Sequence, residues 1–130
     1  MQDTNNKIFS LDSKRLEALS NDKDDIALCY GHFNLIHPGH LRYLQHAKTL
    51  AEKLIVVIVS DEELERDLFG QHFSEEERAE SVANLQIVEQ VVILKGFKLY
   101  ELVDIIKPKV LVFGKEFEKQ QPENISLAID

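Results

Sequence analysis

The chain of 130 residues holds a single cysteine, a single methionine and no tryptophan. One cysteine excludes an internal disulfide and suits a reducing compartment. With five glycines and three prolines there is no Gly/Pro-rich tract, and neither repeats nor low-complexity segments occur. Basic residues are also scarce: 15 Lys and Arg stand against 23 Asp and Glu, for a net charge of −8. Such a balance argues against a nucleic-acid partner. An anionic ligand would have to be drawn by a local positive patch, against the overall field. No apolar run approaches membrane-spanning length. Nor is Met1 followed by the basic-then-apolar pattern of a secretory signal. The expectation is a cytoplasmic protein with no membrane contact. A chain this long makes one domain and can bury about two thirds of its unfolded surface.

What is present concentrates at one point. Residues 26–30 (Ile-Ala-Leu-Cys-Tyr) form a short apolar run that reads as a buried strand. Residues 41–51 carry Leu41, Leu44, Ala47 and Ala51 at helical spacing, with Arg42, Gln45, Lys48 and Glu52 on the other side. Between them stand Gly31, His32, Phe33, Asn34, Leu35, Ile36, His37, Pro38, Gly39 and His40. This is a strand-to-helix turn. Gly31 permits close backbone approach to a ligand, and Pro38 suits the first turn of a helix. The unpaired N–H groups of a helix start make a natural phosphate site. His37 and His40, three residues apart, would share one face of that first turn. Core histidines and a zinc site built from His32, His37 and His40 are the competing readings. Neither explains why glycine, proline and both histidines converge on one turn.

The rest of the chain alternates strand and helix patterns. Residues 1–7 are polar, residues 10–19 read as a short helix capped by Ser10 or Asp12, and residues 21–25 read as a turn. Residues 54–59 are a continuous apolar run, the mark of a strand buried on both faces. Ser60 and Asp61 follow it. Ser74 with Glu77 three residues later forms a capping box that opens a helix. Residues 87–94 read as the third strand, 99–106 as a helix stopped by Pro108, and 110–113 as a fourth strand stopped by Gly114. The pattern predicts a doubly wound α/β sheet with right-handed crossovers, single domain, whose ligands bind at the carboxyl ends of the strands. The boundaries expected are an N-terminal extension over 1–24, the main domain over 25–118 and a linker or the start of a further segment over 119–130.

The run Gly-x-Phe-x-x-x-His-Pro-Gly-His resembles the HxGH signature of cytidylyltransferase-like nucleotidyltransferases. Within that family the resemblance is greatest to the adenylyltransferase domain of ADP-heptose synthase, with glycerol-3-phosphate cytidylyltransferase more distant. The helix opened by Ser74, including Arg78, and residues 99–117 extend it. The resemblance implies a Rossmann-like parallel sheet and transfer of a nucleotidyl group from ATP or CTP to a sugar or polyol phosphate. His37 and His40 would then be catalytic. Gly31, His32, Phe33, Gly39, Gly114 and Lys115 would bind the nucleotide, and Asn34, Asp61 and Arg78 would contact substrate or phosphate. Magnesium would accompany the nucleotide. A homodimer and fusion to a sugar kinase domain in a longer protein are further implications.

Four departures from the family pattern qualify the resemblance. Asn34 stands where an aspartate is usual, and Phe69-Gly70 stands where a lysine-glycine pair is expected. Phe113-Gly114-Lys115-Glu116-Phe117 replaces a Lys-Gly-Gly-Asp-Tyr run, and a late Ser/Thr-rich signature is missing. The losses around Phe69 and Phe113 motivate one alternative, a degenerate nucleotide-binding regulatory module, which the intact His37 and His40 oppose; a non-catalytic dimerisation domain, resting only on apolar surface, is another. The missing late signature, with no convincing strand after residues 110–113, leads to the expectation that the chain is an excerpt of a longer protein whose transfer activity in isolation is weak or absent.

Overall fold

A computed structural model describes residues 7–10, 14, 18–19, 24–36, 38–63 and 73–113. Among the described residues there are five strands: β1 (Ile8–Ser10), β2 (Ile26–Gly31), β3 (Lys53–Val59), β4 (Gln90–Leu94) and β5 (Val110–Phe113). Among the described residues, helices α1 (Pro38–Lys48), α2 (Glu75–Ala83) and α3 (Leu99–Ile106) lie between β2 and β3, β3 and β4, and β4 and β5. The strands form one parallel sheet in the order β1-β4-β3-β2-β5.

Alternation along the strands explains why both faces must be covered. Leu54, Val56 and Ile58 of β3 pack with Leu44 and Ala47 of α1 and Ala79, Val82 and Ala83 of α2. Ile55, Val57 and Val59 pack on the opposite face with Leu99, Leu102 and Ile106 of α3. A parallel strand with helices on both faces has no solvated side, so its sequence is a continuous apolar run rather than an alternating one. Each fully buried Val, Leu or Ile contributes about 1.5–3 kcal/mol, so this central strand outweighs any single hydrogen bond of the fold. The sheet is doubly wound, as the sequence predicts. α1 and α2 carry the chain in one direction across one face, and α3 returns it across the other to β5, on the far side of β2. The carboxyl end of β2 therefore stands at the reversal, where such sheets place their ligands.

Helix ends follow local chemistry. Pro38 is the first residue of α1. Ser74 caps α2: its hydroxyl accepts from the Glu77 N–H at 3.2 Å, and Glu77 Oε1 accepts from the Ser74 N–H at 3.3 Å. α3 ends at Lys107, which adopts the left-handed conformation (φ 53°) and donates its N–H to the Val103 carbonyl. Pro108 follows, as expected after a helix that cannot continue.

Three readings of the N-terminal half and of β4 need correction. Ile8–Ser10 is a strand, paired in register with Val91, Val92 and Ile93, so Ser10 ends a strand rather than capping a helix. The strand before the HxGH turn is consequently the second, not the first. Three residues with one buried side chain, Phe9, carry too little alternation to announce a strand; its partner β4 makes it one. Of the segment read as a helix, Lys14, Ala18 and Leu19 are described and are helical. β4 begins at Gln90 rather than at residue 87.

Candidate nucleotide site at the end of β2

Gly31 is the last residue of β2 and pairs with Ile58. Residues 32–36 then turn the chain into α1. Phe33, at φ 52°, is a bulky residue in the left-handed region, a conformation that costs on the order of 1–3 kcal/mol and persists only where surroundings enforce it. Those surroundings are visible. The Phe33 ring is buried, stacks on Tyr43 at 6.2 Å between centroids and lies against His40 at 5.4 Å. Burial of the ring thus holds the strained turn and, through it, positions the His40 imidazole on the first turn of α1. Gly39 beside it is half-buried.

The turn is tied to α2 at two points. Asn34 Oδ1 accepts from the Phe73 N–H at 2.7 Å. Arg78 Nη1 donates to the His32 carbonyl at 2.8 Å, and Arg78 Nε to the Phe73 carbonyl at 2.9 Å. A third donor, Arg78 Nη2, reaches Asp61 Oδ1 at 2.9 Å. The Arg78 side chain is 0% exposed and that of Asp61 33%. The resemblance suggested that Arg78 contacts substrate. In this structure its side chain is sealed from solvent and its donors go to two backbone carbonyls and a carboxylate, which ties the turn to α2 and to Asp61. Asp61 is gripped from both sides, since Glu75 Oε1 accepts from its N–H at 3.0 Å. Glu75 is itself buried, with Lys95 at 3.9 Å.

Of the predicted site residues, the structure gathers Gly31, His32, Phe33, Asn34, Gly39 and His40 at one turn, with Asp61 joined to it through Arg78. His37, Gly114, Lys115 and the Phe69-Gly70 pair lie outside the described residues. Phe113, the last residue of β5, pairs with Tyr30, which brings the end of β5 beside the end of β2. Sequence reasoning missed Phe73, Tyr43 and Glu75. Phe73 and Glu75 flank the capping Ser74, so the capping box was a signal for where α2 starts but not for what its first turn grips. An open cleft of about 470 Å³ also adjoins the turn, between Asn34, Leu35 and Ile36 on one side and Phe73, Glu77 and Ser81 on the other. Leu35 and Phe73 are exposed there.

Among the described residues no group of three or more His, Cys, Asp or Glu is placed to hold a metal ion. Cys29 is buried in β2, and burial pushes its thiol up from 9.0 to about 12, an effect only partly offset by the nearby Tyr43 hydroxyl. A thiol so poorly ionised is a packing residue, not a nucleophile. No helix among the described residues is long and apolar enough to cross a membrane.

The site is therefore a strained turn at the carboxyl end of β2 in a doubly wound sheet, with a glycine-ended strand before it and a histidine at the following helix start. Residues 28–128 match the Cytidylyltransferase-like family, and the chain belongs to that family. It is 37% identical over 120 residues to "Bifunctional protein HldE" of Helicobacter pylori (strain G27), an alignment covering 90% of this chain and 26% of the relative. Against the protein of the same name from a Nitratiruptor species it is 35% identical, covering 87% of this chain and 26% of the relative. The chain thus spans about a quarter of the length of these relatives. Its fold is similar to that of a lipopolysaccharide core biosynthesis protein from Thermoplasma volcanium GSS1, with a TM-score of 0.69 and 23% identity over 82% of this chain and 87% of that one.

Proposed function

We propose that the chain transfers a nucleotidyl group from ATP or CTP to a sugar or polyol phosphate and releases pyrophosphate. An oxygen of the acceptor phosphate attacks the α-phosphorus, and the bond from that phosphorus to the bridging oxygen of the β-phosphate breaks. The acceptor is already anionic, so no covalent enzyme intermediate is needed. Catalysis is positioning and charge stabilisation. The observation that carries this reading is the strained Phe33 turn, which sets His40 at a helix start at the carboxyl end of β2. Peptide N–H groups there would face phosphate oxygens. His40, with His37 three residues earlier, would stabilise the charge that builds on them. Gly114 and Lys115, which follow β5 in sequence, would complete the nucleotide cradle. Magnesium would be held mainly by the nucleotide phosphates and would neutralise part of their charge. The chain would act as a homodimer. The bifunctional relatives support a role as one part of a longer protein, whose sugar kinase would supply the phosphorylated acceptor.

Pyrophosphate release, assayed with ATP and CTP against a panel of sugar and polyol phosphates, tests the reading. One pairing should turn over, and His40→Ala should lower its rate by about 10²–10³, the usual cost of losing one preorganised donor. A His40→Ala variant with undiminished turnover contradicts the assignment. A second reading is a regulatory module that binds nucleotide without transferring it; the departures at Phe69 and Phe113 favour it. Nucleotide binding with no pyrophosphate release from any pairing would select it.

A further inference from the structure

We infer that Arg78 is a positioning residue that sets the geometry of the nucleotide turn from beneath. This inference rests on the proposed function for its consequence, but not for its geometry. Four groups close one loop of hydrogen bonds. Arg78 Nη1 holds the carbonyl of His32, the residue immediately before the left-handed Phe33. Arg78 Nε holds the carbonyl of Phe73, whose N–H is held by Asn34, the residue immediately after Phe33. The strained residue is thus fastened on both sides to the segment entering α2. Arg78 Nη2 ties the assembly to Asp61 beyond the end of β3, and Glu75 ties Asp61 back to the first turn of α2.

The guanidinium suits this task for a physical reason. Its planar fork aims three donors at three fixed acceptors at once. Lysine can offer three protons but only from one point, so it cannot span two carbonyls and a carboxylate. In the free chain the Arg78 side chain has no exposed surface and its donors are taken by protein acceptors. Arg78 therefore acts through the backbone: by fixing the His32 carbonyl it fixes the peptide planes that follow, and with them the direction of the N–H groups offered to phosphate. Removing such a bond takes the charged donor from a part-buried carbonyl, a loss comparable to the strain stored at Phe33. The turn would then relax.

The test is amide hydrogen exchange on the full chain with Arg78→Lys, alongside calorimetric titration of MgATP and MgCTP. Exchange at residues 32–36 and 73 should quicken by about tenfold or more, while β3 and β4 keep wild-type protection. Affinity for the nucleotide that wild type binds should fall in the same variant. Unchanged exchange at the turn overturns the inference. Uniformly faster exchange across the sheet does so too, because Arg78 would then be a general stabiliser. Should Arg78→Lys fail to fold, Asn34→Ala cuts the other fastening; it should loosen residues 32–36 and 73 alone, and unchanged exchange there overturns the inference. A wild-type chain that binds neither nucleotide removes the proposed function. The exchange measurement still decides the clasp.

Discussion

The two ends of the sheet use similar charged side chains to opposite purposes. At the amino end of β3, Lys48 bonds Glu89, while Glu89 Oε2 accepts from the Leu54 N–H at 2.7 Å. Both side chains are about one-third exposed, and the backbone around them is ordinary. At the carboxyl end, Arg78 is sealed, its partners are mostly carbonyls, and the loop it holds contains a bulky residue in the left-handed region. A partly exposed ion pair closes a sheet cheaply. A buried arginine spanning two carbonyls beside a strained turn has a conformational task. Strain gathers where a site needs it and is held by its surroundings.

The comparison can be sharpened by mutation. Loss at the carboxyl end should have the larger effect: His40→Ala should cost turnover, and Arg78→Lys should loosen the turn. Capping is a purely structural device between the two, and Ser74→Ala should lower stability by about 1 kcal/mol, read by denaturant unfolding. An effect of that substitution on turnover far beyond its effect on stability would mean that α2's start does more than support the clasp. At the amino end, Glu89→Ala should lower stability by about 1 kcal/mol or less, since the pair is about one-third exposed, and nucleotide affinity should not change. A loss of affinity there would erase the contrast between the two ends.

The smallest effect concerns pH. Cys29 is raised to about 12 in the fold, so above 9.0 the unfolded chain ionises while the folded one does not. Its contribution to stability is complete below 9.0 and is lost as pH rises toward 12. Cys29→Ala should flatten the alkaline limb of a stability–pH curve; an unchanged limb would show that another group sets it.

Much of the fold was legible because its signals are local. The apolar run of β3, the Ser74–Glu77 capping box and the helix Leu99–Ile106 each declare themselves within a few residues. So does the turn, whose glycine, proline and histidines sit together in sequence. What was not legible depends on distant partners. β1 is a strand because Val91, Val92 and Ile93 lie beside it. Arg78 meets His32 across 46 positions, and Asn34 meets Phe73 across 39. A side chain bonded to a backbone carbonyl leaves no pattern at the acceptor, because every residue has one. The buried role of Arg78 and the grip of Glu75 on Asp61 therefore emerge only in the folded chain.

The most direct test of the central claim is an amide-resolved NMR titration of the full chain with MgATP and then MgCTP. One nucleotide should saturate, with the largest shifts at residues 31–36 and at Gly39 and His40, while Leu54 and Glu89 at the other end of the sheet stay still. Saturation with the largest shifts at the amino end, or no shifts at any concentration of either nucleotide, would contradict the account.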